Sequence, residues 1–166
     1  MRSSSPPGKI PATVDEIVAR SLAKWPDVPA VYGWLALDRR GNWLIKGERI
    51  GNAALREFIG RNYQADEKGR WYFQNGPQRV FVSLAYTPLV VRYEGEGLLD
   101  HCGRPFSVSE ALEDDEGSVL FAGAGTVALL DDRDLARFAD QAYALGSIGK
   151  AQVQARFGFV ADPGPA

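Results

Sequence analysis

The sequence contains very little sulfur and almost no imidazole. Its 166 residues include one cysteine, Cys102, and one histidine, His101. An internal disulfide framework is therefore excluded, and so are the common metal sites that are built from several His and Cys ligands. We predict no metal site and no cofactor. A reducing cytoplasm is the compartment that such a composition favours.

Long apolar runs are also missing. No stretch of about 18 apolar residues occurs, so the sequence predicts no membrane span. The N-terminal residues MRSSSPPGKIPATV contain no apolar segment of the kind that a secretion signal needs, and they predict a flexible leader over residues 1–12. A hydrophobic content of 45% with 24% charged residues is typical of a globular protein. The net charge of −2 disfavours a nucleic-acid partner.

Familiar catalytic and nucleotide-binding motifs are absent as well. The chain has no phosphate-binding loop that ends in Lys-Ser/Thr, no Gly-x-Ser-x-Gly elbow and no His-Glu-x-x-His pair. The segment FAGAGTV contains Gly123 and Gly125 but lacks the third glycine of a dinucleotide fingerprint, so we interpret it as strand–turn–strand. We assign no catalytic residue, and the sequence favours a non-catalytic protein over an enzyme.

A repeated turn signature is the most informative pattern that is present. The motif Asp-x-x-Gly occurs four times, at residues 38–41, 66–69, 100–103 and 114–117. Its aspartate can accept a hydrogen bond from the backbone N–H two residues on, and its glycine can adopt the positive φ that closes a type I turn with a bulge. Apolar stretches flank the four copies, which predicts several consecutive antiparallel β-hairpins.

Helix signals lie between and around these turns. Thr13 and Glu16 form a capping box ahead of a first amphipathic helix, Asn52 is a good N-cap for a second, and Asp131 or Asp132 caps a third that would end at Gly146. The segment VFVSLAY is apolar on both faces and predicts a central strand. The segment AQVQARFGF alternates strictly and predicts another strand, with a short helix as the alternative.

These elements predict one α+β domain over residues 13–160. Successive antiparallel β-hairpins would form one or two sheets, packed by about three amphipathic helices. Two hairpin-based halves, 13–95 and 96–160, are an open alternative within that domain. Residues 161–166 are predicted to be a disordered tail.

The first candidate site is the hairpin tip in DEKGRWYFQNGPQRVFV. Asn75-Gly76 resembles a two-residue turn, but Pro77 has no N–H to complete it, so we predict a longer loop from Asn75 through Gln78. Such a stiffened polar loop would present Asn75, Gln78 and Arg79 to a partner or ligand. A simple connecting turn is the alternative.

The second candidate site is the segment LDHCGRP. Neighbouring His101 and Cys102 point in opposite directions in a strand, so they are poorly placed to act as base and nucleophile, and we interpret both as exposed turn residues. Alternatively, they bind a small anionic ligand with Arg79 and Arg92, or form an unrecognised active site. A cleft enclosing His101 with arginines from another hairpin would favour this alternative over a protein-binding surface. A homo-oligomer also remains open.

Three segments carry a resemblance to a known family: KWPDVPAVYGWLALDRRGNW, LREFIGRNYQADEKGRWYFQNGPQRVFVSLAYTPLVVR and HCGRPF. Through them the chain resembles small uncharacterised proteins of proteobacteria that form a domain-of-unknown-function family. The resemblance covers roughly residues 13–160, and FQNGPQRVFVSLAYTP is its most specific part. It implies a bacterial cytoplasmic protein, and it supplies no activity, cofactor or catalytic residue.

Overall fold

The structure, a computed structural model, describes residues 25–165. The predicted leader and the predicted helix that begins at Thr13 lie outside the described residues, apart from Trp25 at the end of that helix. Trp25 is buried and makes an edge-to-face contact with Phe73, with ring centroids 5.8 Å apart. Within the described part of the chain, no helix is long and apolar enough to cross a membrane.

The first of two sheets has six strands in the order β3-β2-β1-β6-β5-β4. Its strands are β1 (Ala30–Leu37), β2 (Trp43–Ile45), β3 (Glu48–Arg49), β4 (Tyr63–Ala65), β5 (Trp71–Asn75) and β6 (Gln78–Leu84). β6 comes from the segment VFVSLAY and lies between β1 and β5, which confirms the prediction of a central strand. Val80 and Val82 on this strand are fully buried.

The second sheet has seven strands in the order β13-β10-β11-β12-β7-β8-β9. Its strands are β7 (Leu89–Glu94), β8 (Gly97–Asp100), β9 (Pro105–Phe106), β10 (Glu110–Asp114), β11 (Val119–Gly123), β12 (Thr126–Leu130) and β13 (Leu145–Ile148). β11 and β12 are antiparallel partners on either side of Ala124-Gly125, so the strand–turn–strand interpretation of FAGAGTV is confirmed. Buried residues of both sheets belong to one continuous hydrophobic core.

The two sheets share one plan, and this plan corrects the prediction of antiparallel sheets. Each sheet contains two three-stranded antiparallel meanders, and the first strand of one meander pairs in parallel with the last strand of the other. The parallel pairs are β1 with β6 and β7 with β12, and β13 adds a third parallel pair with β10. Turn motifs report only strands that are neighbours in sequence, so they carried no signal for these long-range pairs. The protein is a mixed α+β fold.

All four Asp-x-x-Gly motifs form the same turn, as predicted. In each one, Oδ1 of the aspartate accepts hydrogen bonds of 2.8–3.0 Å from the backbone N–H groups two and four residues later. The glycine N–H donates to the aspartate carbonyl oxygen at 2.9–3.2 Å, and the glycine φ lies between 80° and 86°. The turns join β1 to β2, β4 to β5, β8 to β9 and β10 to β11.

The first described helix, α1 (Ala53–Arg61), begins where the sequence predicts. The Asn52 side chain accepts a hydrogen bond of 2.9 Å from the N–H of Leu55, which satisfies one of the unpaired donors at the helix start. Leu55 and Ile59 are the large apolar residues that this helix buries. They share one face because they are four positions apart, and this face packs α1 against the core.

The predicted third helix is shorter than expected. A 3₁₀ turn (Asp132–Asp134) leads into α2 (Leu135–Ala139), and Asp131 Oδ1 accepts from the N–H of Arg133 at 2.9 Å, as a cap should. Gly146 does not end this helix but lies in β13, opposite Leu112 of β10. A Cβ at position 146 would stand 3.0 Å from Leu112 Cδ2, so the glycine allows this close strand packing.

The segment AQVQARFGF is a helix, α3 (Lys150–Phe157), and the prediction of a strand is wrong. The Gln152 side chain accepts from the N–H of Gly149 at the start, and Gly158 ends the helix with φ 69°. Val153 is the one residue of α3 that is buried. The apparent alternation rested on small alanines, which stay exposed here, so it carried little hydrophobic signal. The short helix named as the alternative is the observed structure.

Candidate functional site

A cleft of about 320 Å³ lies where the two sheets meet, and it encloses His101. Parts of both sheets line it, together with α1. The lining residues are Arg40, Gly41, Asn42, Trp43, Arg56, Glu57, Gly60, Val90, Val91, Arg92, Asp100, His101, Cys102, Gly103 and Asp131. Arginines therefore reach the cleft from three separate elements: the β1–β2 turn, α1 and β7.

Glycines allow the Asp100–Gly103 turn to fit tightly against the first sheet and α1. A Cβ at Gly41 would stand 2.7 Å from the Cβ of His101, and a Cβ at Gly60 would stand 3.4 Å from the Cα of Cys102. His101 and Cys102 are consequently half-buried, which corrects their interpretation as exposed turn residues. The hairpin end of the second sheet thus forms one wall of the cleft.

His101 is held as a neutral imidazole. Its Nδ1 accepts a hydrogen bond of 3.2 Å from the backbone N–H of Val90, and its Nε2 is buried without a hydrogen-bond partner among the described residues. The rings of Trp43 and Tyr63 lie 5.0 and 5.4 Å from the imidazole, edge to face. Burial lowers the pKa of His101 to about 3, so the ring brings no positive charge to the cleft at neutral pH.

Cys102 is equally unreactive in this setting. Burial raises the pKa of its thiol to about 12, with a further contribution from the nearby Asp100 carboxylate. The thiolate is the nucleophilic form of cysteine, and it is scarcely populated at neutral pH when the pKa is this high. Neither residue of the His101-Cys102 pair is therefore poised for acid–base or nucleophilic chemistry.

The arginines around the cleft differ in how they are engaged. Arg40 forms a two-pronged contact with Asp132, at 2.8 and 3.2 Å, and Arg92 contacts Glu94 at 2.8 Å. Arg56 donates to the carbonyl oxygens of Ile50 and Gly51 and forms no ion pair with any residue in the range 25–165. Its guanidinium has donors left over for a ligand.

The predicted hairpin tip lies outside the lining of this cleft. Asn75 pairs with Gln78 across a turn of only two residues, Gly76 and Pro77, so the predicted four-residue loop is wrong. The positive φ of Gly76 (56°) and the fixed negative φ of Pro77 suit a type II′ turn, in which the proline sits within the turn and not in the strand.

The polar side chains of the tip are used within the protein. Asn75 Nδ2 donates to Gln78 Oε1 at 3.0 Å, and Gln78 Nε2 donates to the carbonyl oxygens of Pro26 and Val28. Arg79 lies over the ring of Tyr72, 4.5 Å from its centroid. Of the predicted site residues, the structure thus brings together Arg92, His101 and Cys102, and places Asn75, Gln78 and Arg79 elsewhere.

Several lining residues carried no site signal in the sequence. Arg40 and Arg56 are separated from His101 by long stretches of chain, so nothing in the sequence places them beside it, whereas Asp100 lies in the candidate segment LDHCGRP. Among residues 25–165, no group of three or more His, Cys, Asp or Glu side chains is arranged to hold a metal ion.

Comparisons with known proteins give the fold and the family. Two solved structures are similar: a DUF1285 family protein from Silicibacter pomeroyi DSS-3 and another from Shewanella baltica OS155. The first has a TM-score of 0.52 and 16% identity, over 79% of this chain and 85% of that one. The second has a TM-score of 0.50 and 13% identity, over 64% of this chain and 91% of that one. At these identities the likeness shows the fold alone.

The family assignment covers nearly the whole chain. No curated protein matches the sequence. A family model described as "Protein of unknown function (DUF2946)" matches residues 14–164, which agrees with the resemblance seen in the sequence. The chain therefore belongs to this family of unknown function.

Proposed function

We propose that this protein is a non-catalytic binding module that takes a small anionic molecule in the cleft between its two sheets. The observation that carries the proposal is the meeting of Arg40, Arg56 and Arg92 at one cleft that also encloses His101. Guanidinium groups bind carboxylates and phosphates through charge-assisted, often two-pronged hydrogen bonds. A cavity of about 320 Å³ suits a metabolite-sized ligand.

The existing ion pairs of these arginines do not oppose ligand binding. The side chains of Arg40 and Asp132 are 48% and 61% exposed, and those of Arg92 and Glu94 are 51% and 62% exposed. Exposed pairs of this kind contribute little stability and exchange readily with other anions. Arg56 is free of such a pair within the described residues, so we expect it to make the largest contribution to anion binding.

The chemistry of the cleft supports binding without catalysis. The imidazole of His101 is neutral and hydrogen-bonded to the backbone, and the thiol of Cys102 is protonated. An acid–base catalyst needs a pKa near the working pH, and a cysteine nucleophile needs an adjacent base. A bacterial cytoplasmic location, and a partner-binding role for Asn75, Gln78 and Arg79, remain predictions beside this proposal.

The test is a binding screen by calorimetry and thermal unfolding. Phosphate, citrate, dicarboxylates and sugar phosphates are titrated into the wild type, Arg56→Gln and Arg79→Ala. We expect at least one anion to bind, and to raise the melting temperature with its concentration. Arg56→Gln should weaken the binding of that anion by at least about tenfold, since a charge-assisted hydrogen bond is worth about 1.5–3 kcal/mol.

The control is Arg79→Ala, because Arg79 is exposed and lies outside the cleft lining. It should leave the affinity unchanged. The proposal is contradicted if no anion binds, or if Arg79→Ala weakens binding as much as Arg56→Gln does. Binding should also weaken as the salt concentration rises, because the arginines are solvent-exposed and therefore screened.

A further inference from the structure

The four Asp-x-x-Gly turns are alike in backbone but not in how they use the second carboxylate oxygen, Oδ2. In three turns a neighbouring side chain donates to it: Asn42 to Asp38 at 2.9 Å, Arg70 to Asp66 at 2.8 Å and Tyr86 to Asp114 at 2.7 Å. In the remaining turn, Asp100–Gly103, no described residue donates to Oδ2 of Asp100. The Asp100–Gly103 turn lines the cleft, and so does the Asp38–Gly41 turn through Arg40 and Gly41.

The missing donor at Asp100 is explained by the position of the arginine that follows Gly103. Arg70 follows Gly69 and folds back onto its own Asp66. Arg104 holds the same position after Gly103, but its Nη2 donates to the carbonyl oxygens of Gly60 and Arg61 at 3.1 and 3.4 Å. These carbonyls belong to the last residues of α1, where a cation is favoured by the helix dipole. Asp100 therefore lacks the arginine hydrogen bond that Asp66 accepts from Arg70.

Asp100 is a buried residue, only 5% exposed, and it is one of the residues that line the cleft. No described residue donates to Oδ2, so this oxygen is available to a donor group of a ligand. Asp100 therefore offers a hydrogen-bond acceptor at the edge of the space that the proposed ligand would fill. An ammonium group donates hydrogen bonds and carries a positive charge, so it is a fitting partner for this carboxylate oxygen.

We infer that the ligand is a small zwitterion, whose ammonium group binds Asp100 Oδ2 while its carboxylate or phosphate binds the arginines of the cleft. The inference rests on the proposed function and narrows it to a ligand class, namely amino acids and amino phosphates. Ligands with the anion alone would lack the charge-assisted hydrogen bond to Asp100 and bind more weakly.

The experiment compares matched ligands that differ only in the ammonium group. Glutamate is compared with glutarate, and phosphoethanolamine with ethyl phosphate, by calorimetry on the full chain. The wild type should bind the ammonium-bearing member of a pair at least about tenfold more tightly, which corresponds to roughly 1.4 kcal/mol. This comparison needs no variant, so it does not depend on the folding of a mutant.

Asp100→Asn then tests the named atom. Asparagine keeps an oxygen for the N–H groups of Cys102 and Arg104, but replaces Oδ2 with an amide donor that repels an ammonium group. The ammonium preference should disappear, while affinity for the plain anion is kept or rises. The control is Asp66→Asn, the same change in the equivalent turn outside the cleft lining, and it should keep the preference.

Each outcome separates the inference from the proposed function. An ammonium preference that is lost in Asp100→Asn and kept in Asp66→Asn supports the inference. Equal binding within both pairs, or a preference that survives Asp100→Asn, overturns the inference and leaves the anion site standing. If no member of either pair binds the wild type and the anion screen is also blank, both proposals are overturned.

Discussion

The Asp66–Gly69 turn of the first sheet and the Asp100–Gly103 turn of the second have the same backbone hydrogen bonds and different surroundings. In the first turn, Arg70 closes an ion pair with Asp66, and both middle residues are exposed. In the second, Arg104 reaches α1 instead, and both middle residues are half-buried. The aspartate and glycine thus determine the shape of the turn. The position of the arginine that follows the glycine determines whether Oδ2 of the aspartate accepts a hydrogen bond from within the protein.

The largest expected effect concerns the glycines that end these two turns. Gly69 and Gly103 both have positive φ, but a Cβ at Gly69 would collide with the backbone oxygen of Gly158, whereas nothing lies near a Cβ at Gly103. Gly103→Ala should cost about 1–2 kcal/mol from backbone strain alone. Gly69→Ala should cost about 3 kcal/mol or more, since overpacking adds to the strain. Urea unfolding of both variants measures the difference, and equal losses would contradict it.

The second prediction uses His101, which occupies the position that exposed Glu67 holds in the first turn. The unfolded chain takes up a proton at His101 near pH 6.5, but the folded protein does so only near its lowered pKa of about 3. The unfolded state therefore binds more protons between these values, and stability falls as the pH falls through this window. Between pH 6.5 and 5 the loss should be about 1.6 kcal/mol.

The chain contains no other histidine, so this pH dependence can be assigned to one residue. His101→Phe keeps an aromatic ring beside Trp43 and Tyr63 and removes the titration. Its free energy of unfolding in urea should be nearly constant between pH 7 and 5, although lower overall, because the Val90 N–H loses its acceptor. A flat profile in the wild type, or an unchanged slope in the variant, would refute the assignment.

The smallest effect concerns the two aspartates themselves. Asp66→Asn removes the ion pair with Arg70. The Asp66 side chain is only 3% exposed, but that of Arg70 is 22% exposed and partly screened by solvent, so the loss should be about 1 kcal/mol. Asp100→Asn removes no ion pair among the described residues and should cost less. Chemical denaturation at pH 7 measures both, and a greater loss in Asp100→Asn would show that Oδ2 has a donor within the protein.

The cost of Asp66→Asn should also depend on pH. Although burial acts to raise the pKa of Asp66, hydrogen bonds from the Arg70 and Lys68 N–H groups and from the Arg70 side chain lower it. The stabilisation is present above the ordinary pKa of about 3.9 and is lost as the pH falls through the lowered value. The difference between Asp66→Asn and the wild type should therefore shrink in strong acid.

Local features of this fold could be predicted from the sequence. The four turns and the start of α1 at Asn52 depend on residues a few positions apart, and all were predicted. The alternation over residues 151–159 was misleading because alanines count as apolar without needing burial. The prediction for the β5–β6 turn is wrong because Pro77 lies inside a type II′ turn, where its missing N–H is not needed, and not in the strand.

The long-range features of the fold could not be predicted from the sequence. The parallel pairs β1–β6 and β7–β12 leave no turn motif, and apolar alternation does not distinguish parallel from antiparallel partners. The cleft assembles Arg40, Arg56 and Arg92 from distant parts of the chain. His101 belongs to a residue type that often takes part in catalysis, but its burial follows from its close packing against Gly41, and that of Cys102 from Gly60, and only the fold reveals these contacts.

The parallel pairs at the centre of each sheet have a consequence for how the chain folds. Each meander joins strands that are close in sequence, so it can form rapidly and alone. The β1–β6 and β7–β12 pairs instead require the whole intervening chain to be in place, and loop closure of that length is entropically costly. We therefore expect folding to be limited by these two closure steps, and each sheet to lose its structure as a unit when its central pair opens.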